Sequence, residues 1–466
     1  MSETQQSGIE SADVIVIGMG PGGEVVGGNL GEAGLTVVGI EGGLVGGECP
    51  YYGCIPSKMM IRAANLLQEG RRIGDLAGSS TVSPDWGPVA QRIRDQATDN
   101  WDDTVAVDRF VGKGGTFIRG YAKITGPNQV EVEGRTIQAS KGIVIATGTL
   151  AAVPPIPGLA DTPFWTNQTI VQTKELPETL TVLGGGPIGS EMAQVMSRFG
   201  VKVTLIEGAD RLLVRNEPEA GEVLKEAFEA EGITVMTGQF ASEVRHGDDG
   251  FTVVMADGSE INSEELLVAA GRQTFLNELG AAEVGIDVSV PFLSVDERMR
   301  VLDASGNALD NVWGVGDIAG QGQFTHLAIR QGAIAADDIL GKQTQPLNMD
   351  ALSAVTFTEP EVGAVGMTEA EATEAGLNVA TAFKPVGHTA RGWLHSTGNE
   401  GFIKMVIDAD RDIMVGATSA GPVGGEVLGL LSLAVHAQIP VSTIRQMIFA
   451  YPTFHKGIED ALNDLA

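Results

Sequence analysis

Basic residues are scarce in this chain of 466 residues: 30 Lys and Arg stand against 60 Asp and Glu, a formal charge of −30. That balance argues against nucleic acid or an anionic membrane as a main partner. It would also suit a salt-rich cytoplasm, although many ordinary soluble proteins are acidic. No apolar run is long enough to span a bilayer. The leader "MSETQQSGIE" has neither a basic n-region nor an apolar h-region, so a secretory signal is not expected and a cytoplasmic location is. Histidines number six and are scattered, which leaves a four-ligand zinc site without ligands, and no metal centre is expected. Cysteine is nearly absent. The only two, Cys49 and Cys54, sit in "GGECPYYGCIPSK". A structural bridge closing so short a loop would remove little unfolded-state entropy. A close pair in a cytoplasmic chain favours catalysis, redox sensing or metal binding over stapling. Five residues of regular helix advance about 7.5 Å, more than the usual Cα separation across a disulfide of under about 6.8 Å. Joining the two sulfurs therefore needs a break in the helix, which Pro50 and Gly53 permit.

Glycine, by contrast, is abundant at 63 residues, and hydrophobic residues make up 43%, enough for several cores. "ADVIVIGMGPGGEVVGGNLGEAGLTVVGIEGG" reads as strand, glycine turn, helix, strand. Gly18, Gly20 and Gly23 form G-x-G-x-x-G, which lets the backbone approach a pyrophosphate at a helix N-terminus. Glu41 ends the following strand, where a carboxylate accepts from ribose hydroxyls. The same unit returns in "LTVLGGGPIGSEMAQVMSRFGVKVTLIEGAD" with Gly184, Gly186, Gly189 and Glu207, each 166 positions beyond its counterpart. One such turn is weak evidence; the complete unit twice implies two bound dinucleotides. Two further strand ends, Thr147–Gly148 in "GIVIATGT" and Asp317 in "VWGVGDIAG", favour FAD at the first site, with Asp317 placed to reach a ribityl or phosphate group. "PPIPG" at 154–158 reads as a connection between domains.

These features, with "VAAGR" (268–272) and "TFTEPEVGAVGMTEAEA" (356–372), make the chain resemble the flavoprotein disulfide reductases: dihydrolipoamide dehydrogenase, glutathione reductase and mercuric reductase. The likeness runs from Asp13 to the C-terminal helix. It implies an α/β fold with two Rossmann-like domains, for FAD and NAD(P), and an α+β C-terminal dimerisation domain. The expected division is 1–152 for FAD, 153–273 for NAD(P), 274–345 for the return to the FAD domain, and 346–466 for the interface. The resemblance implies a relay in which NAD(P)H reduces FAD and FAD reduces a Cys49–Cys54 disulfide. Cys54 would face the flavin and Cys49 would attack substrate, while Lys58 and Glu191 match the ion pair beside the flavin ring. Gly47 joins the FAD set and Gly271 the NAD set. Glu207 favours NADH over NADPH, since a carboxylate repels a 2′-phosphate, although Arg211 and Arg215 lie close in sequence.

The C-terminus departs from the family. There the pattern is a His-Pro-Thr run with a glutamate five residues after the histidine, and the histidine serves the partner subunit's cysteines as a base. Here "AYPTFHKG" puts Tyr451 at the histidine position and Lys456 at the glutamate position, with His455 one residue short of it and expected on the surface. A tyrosine with an ordinary pKa of about 10 is a poor base at neutral pH. The expected substrate is therefore not an ordinary lipoamide or glutathione disulfide. Alternatives are a dihydrolipoamide dehydrogenase, a metal reductase of the mercuric type, a quinone reductase, or a slowly turning redox sensor. A homodimer sharing its active sites is implied, acting on a small molecule.

Overall fold

Val14, Ile15, Val16 and Ile17 are all at most 3% exposed, which requires a strand covered on both faces. The computed structural model, which describes residues 11–465, supplies that cover; the leader read above lies outside the described residues. Ser11–Ile17 is the inner strand of an eight-stranded sheet. It pairs in parallel with Val37–Glu41 on one side and Arg135–Ile145 on the other. Gly115–Arg119 extends the sheet beyond Val37–Glu41, and Ala308–Gly314 lies parallel beyond Arg135–Ile145. Ile15 and Ile17 point into one core with Ile118, Ile143 and Leu293. Val14 and Val16 point into the other, with Val26, Phe110 and Ala335.

This sheet belongs to one of two compact units, whose described residues are 11–56, 91–151 and 272–347. The described residues of the second unit are 57–90, 152–271 and 348–465. It contains a parallel sheet in the order Thr234–Thr237, Lys202–Glu207, Thr179–Leu183, Glu265–Val268. An antiparallel meander, Ala241–Gly247, Gly250–Met255 and Glu260–Ser263, follows the third of its strands to be made. The C-terminal part forms a five-stranded antiparallel sheet, Ser353–Thr356 to Val379–Pro385, covered by the helix Gly424–His436 through Val427, Leu428 and Leu431.

The repeat seen in the sequence is kept in the fold. Strand Ser11–Ile17, helix Pro21–Glu32 and strand Val37–Glu41 end 166 residues before Thr179–Leu183, Pro187–Arg198 and Lys202–Glu207. Arg135–Ile145 is longer than the buried run at 142–149 suggests. Its first half alternates buried and exposed residues because it also closes a hairpin with Gln129–Val132.

Candidate active site

The two glycine turns are built alike, and each glycine has its own reason. Gly18 has φ of +90°, and a Cβ there would lie 2.4 Å from Ala146 O; one on Gly23 would lie 2.0 Å from Gly18 O. Gly184 and Gly189 meet Ala269 O at 2.4 Å and Gly184 O at 1.9 Å in the same way. These four are demanded by the protein's own packing. The middle glycines are not. A Cβ on Gly186 would meet nothing within 4 Å, and one on Gly20 only Gly47 Cα at 4.0 Å. Gly20 and Gly186 each begin a 12-residue helix whose first turn has no side-chain cap. Open space beside uncapped N–H groups fits a pyrophosphate. Gly47, at φ +67°, faces Gly20 so closely that its own Cβ would sit 2.9 Å from Gly20 Cα.

The acids repeat too. Glu41 accepts from Met19 N at 2.8 Å and Gly43 N at 2.7 Å. Glu207 accepts from Gly185 N at 2.6 Å and Ala209 N at 2.7 Å. Each carboxylate oxygen keeps further lone-pair capacity for ribose hydroxyls. Two exposed rings that the sequence reading missed lie against the next glycines: Tyr121 over Gly42 and Phe240 over Gly208.

Cys49 lies in the short helix Glu48–Tyr51, and Cys54 starts the helix Cys54–Leu76. The break falls at Tyr52 and Gly53, where a Cβ on Gly53 would press to 3.2 Å of Glu48 O. Pro50 sits in the first turn of its helix, where its missing N–H costs nothing. Cys54 is exposed and Cys49 half-buried. Cys54 Sγ is 3.4 Å from Thr325 Oγ1. The turn is anchored from below: Trp101 donates to Tyr51 O at 3.2 Å, and Asp103 accepts from Val45 N at 2.6 Å.

Asp317 follows the strand Ala308–Gly314 and accepts from the Thr149 hydroxyl at 2.9 Å. Burial pushes its carboxyl above the usual range, against that hydrogen bond and the nearby Arg272 charge. Arg272 continues the chain of contacts, donating to Thr149 Oγ1 at 2.9 Å and to Glu48 at 2.6 Å, beside Cys49. Gly271 of the "VAAGR" run takes φ +131°, and nothing local in the sequence signals what Arg272 reaches. Thr147 is exposed, and Gly148 has a positive φ of +64° with open space around it.

In the second unit, Lys58 Nζ reaches both Glu191 oxygens, at 2.8 and 3.0 Å. Glu191 is 5% exposed and also accepts from Phe357 N at 2.9 Å. A buried carboxylate so paired is no solvated helix charge. Tyr451 is 73% exposed in the single chain. Lys456 is bound to Glu459 and Asp460 on its own helix, both at 2.9 Å, and these bonds raise its pKa. His455 is half-buried at the start of that helix. Among the described residues, no group of three or more His, Cys, Asp or Glu could hold a metal ion.

The fold, the nucleotide turn present once in each unit and the cysteine pair together define a two-nucleotide flavoprotein of the disulfide reductase type. Residues 12–332 match the pyridine nucleotide-disulphide oxidoreductase family, and 352–462 match the dimerisation domain of the same family. The chain belongs to that family. It is 33% identical to a dihydrolipoyl dehydrogenase of Thermus scotoductus, with 98% of each chain covered. It is 31% identical to a mercuric reductase of Bacillus cereus, over 91% of this chain but only 66% of that protein's length. Among solved structures, the HOCl-induced flavoprotein disulfide reductase RclA of Escherichia coli, as its Cu(II) complex, is similar with a TM-score of 0.84 at 26% identity, covering 97% of this chain and all of that one. The protein is thus an FAD-binding oxidoreductase that takes electrons from NAD(P)H.

Proposed function

We propose that this oxidoreductase draws on NADH and delivers electrons through Cys49 and Cys54 to an acceptor other than ordinary lipoamide or glutathione disulfide, the leading class being thiolate-binding metal ions. The observation that carries the reading is the C-terminal segment: Tyr451 stands where the family has its base, and Lys456 is engaged with Glu459 and Asp460. Reducing a disulfide requires a proton for the departing thiolate, which an imidazole supplies and a tyrosine supplies poorly. A metal ion makes no such demand. One NADH yields NAD⁺, a proton and two electrons, enough for one Hg(II) to Hg(0) or two Cu(II) to Cu(I). The mercuric reductase relative and the Cu(II) complex of the structural neighbour support that class. The dihydrolipoyl dehydrogenase relative supports the rival.

In this reading Gly18, Gly20, Gly23, Glu41, Gly47, Thr147, Gly148 and Asp317 hold FAD, and Gly184, Gly186, Gly189, Glu207 and Gly271 hold NADH. When bound, FAD supplies a two-electron carrier between nicotinamide and sulfur. Lys58 and Glu191 act where the hydride arrives. The chain's sheets are assigned as an FAD domain (1–152 and 274–345), an NAD domain (153–273) and an interface (346–466). A cytoplasmic homodimer brings the partner's Tyr451 to the cysteines; among the described residues no helix is long and apolar enough to cross a membrane.

The test is NADH consumption by the FAD-loaded protein with Hg(II), Cu(II), lipoamide and glutathione disulfide in parallel. Turnover of either disulfide at about 10–10³ per second would overturn the reading; metal-dependent consumption that stops in Cys54→Ser supports it.

A further inference from the structure

A seam of charged side chains runs through the second unit, and only one end of it has been given a role. Glu191, Gln194 and Arg198 lie three and four residues apart, on one face of the helix Pro187–Arg198. Lys58, Asn65 and Arg72, spaced by seven, form one stripe on the helix Cys54–Leu76. Between the two faces lies the loop around Phe357 and Glu359, which the family match places in the dimerisation domain.

The loop is gripped at both ends. Phe357 N donates to Glu191 at 2.9 Å, and Glu359 N donates to Gln194 Oε1 at 2.8 Å, with Gln194 Nε2 returning a bond to Glu359 O at 2.8 Å. Lys58 Nζ lies 4.6 Å above the centre of the Phe357 ring. At the far end the Glu359 carboxylate takes Arg72 and, at 2.8 Å, Arg198. Arg198, its side chain 1% exposed, also binds Asn65 at 2.6 Å and Glu231 at 2.6 and 2.8 Å. Three cations thus meet four carboxylates, counting the exposed Glu69 at 3.1 Å from Arg72, with the loop between them.

We infer that Phe357 and Glu359 are positioning residues for the Lys58–Glu191 pair, supplied by the dimerisation domain. The argument is one of freedom removed. An ammonium on a four-carbon stem has many rotamers and no preferred fork geometry. The Phe357 ring fixes it from one side by cation–π attraction, while the Phe357 amide fixes the carboxylate it must meet. Glu359 sets the register of that loop, because its charge is held between Arg72 and Arg198 and its amide by Gln194. The inference rests on the reading that Lys58 and Glu191 act where hydride arrives.

The experiment uses the full chain with FAD bound, and the same chain stripped of FAD. In the stripped protein, amide hydrogen exchange of the segment around Phe357 and Glu359 is compared between wild type and Glu359→Gln. Faster exchange at both amides is expected; unchanged exchange overturns the inference. With FAD bound, anaerobic mixing with NADH reads the rate of flavin bleaching. Phe357→Leu and Glu359→Gln should slow bleaching about 10–100-fold, the scale of a small misplacement, with little change in the NADH concentration for half-maximal rate. Phe357→Tyr should keep the wild-type rate. Phe357→Leu should add nothing in a Lys58→Met background. Full bleaching rates in Phe357→Leu, with Lys58→Met slow, would sink the inference alone. Should Lys58→Met bleach normally, the role of the pair fails instead, and the exchange measurement still decides whether the loop holds it.

Discussion

Tyr451 is the residue on which the chemistry turns, and its consequences are separable from those of the cysteines. Tyr451→His should raise reduction of lipoamide or glutathione disulfide, measured as NADH consumption, by part of the 10²–10⁴-fold that a general base contributes. The gain falls short of that range because Lys456 is bound to Glu459 and Asp460 and cannot orient an imidazole. Adding Lys456→Glu should widen it. No gain in either variant would show that the missing base does not limit the reaction. Cys54→Ser answers a different question. It should leave FAD bound but halve the reducing equivalents taken up in an anaerobic NADH titration, from two per subunit to one. Uptake of one equivalent by the wild type would remove the disulfide from the relay. For nucleotide choice, Arg211 donates to Val214 O at 3.0 Å and pairs with Asp210, while Glu207 offers a carboxylate that repels a 2′-phosphate. The ratio of kcat/KM should therefore favour NADH, and Glu207→Ala should erode that preference.

The elements most legible in the sequence are those whose pattern is local. Strand, turn, helix and acid at a fixed offset of 166 residues declare both nucleotide units, and the structure keeps their ends to the residue. The cysteine turn was legible for the same reason. What the sequence hid depends on contacts between distant segments. Arg272 meets Glu48 across 224 positions, and Glu191 meets Phe357 across 166, with no periodic signal at either. The hairpin half of Arg135–Ile145 was masked because polar alternation there looks like a loop beside the buried run. The glycine turns also yield a paired prediction. Gly18→Ala forces a Cβ to within 2.4 Å of Ala146 O at a φ of +90°, so the FAD-free protein should lose about 1–3 kcal/mol, read as a lower denaturant midpoint. Gly20→Ala meets no protein atom closer than 4.0 Å, so the FAD-free midpoint should hold while FAD affinity falls. Equal loss of stability in both variants would mean that the middle glycine serves packing rather than the nucleotide.

Across the whole molecule, 60 acidic residues against 30 basic ones set up self-repulsion that only part of the fold offsets. The charged residues that are buried as a whole are ion-paired. Lys404, 5% exposed, is held by Glu217 at 3.0 Å and by Glu219 and Glu369 at 2.8 Å. Desolvation opposes its charge, but these three carboxylates overcome it and raise its pKa above the ordinary lysine value. A raised folded pKa stabilises fully below the unfolded lysine value of about 10.4 and is lost only as pH climbs through the folded one. The cluster therefore holds at every physiological pH, and Lys404→Met should cost about 3 kcal/mol, the low end for a broken buried pair, because Glu219 and Glu369 keep contact with water. The surface behaves differently. Raising salt from about 0.1 to 1 M shortens the screening length from about 10 to about 3 Å, which weakens repulsion among exposed carboxylates far more than it weakens the enclosed pairs of Lys404 and Arg198. Sodium chloride in that range should thus raise the thermal midpoint of the FAD-loaded protein. The rise should persist in Lys404→Met, since the repulsion it relieves lies elsewhere, and should shrink near pH 5, where exposed carboxylates begin to take up protons. A midpoint that falls with added chloride would mean that surface ion pairs such as Arg245 with Glu243 and Glu260 outweigh the excess of negative charge.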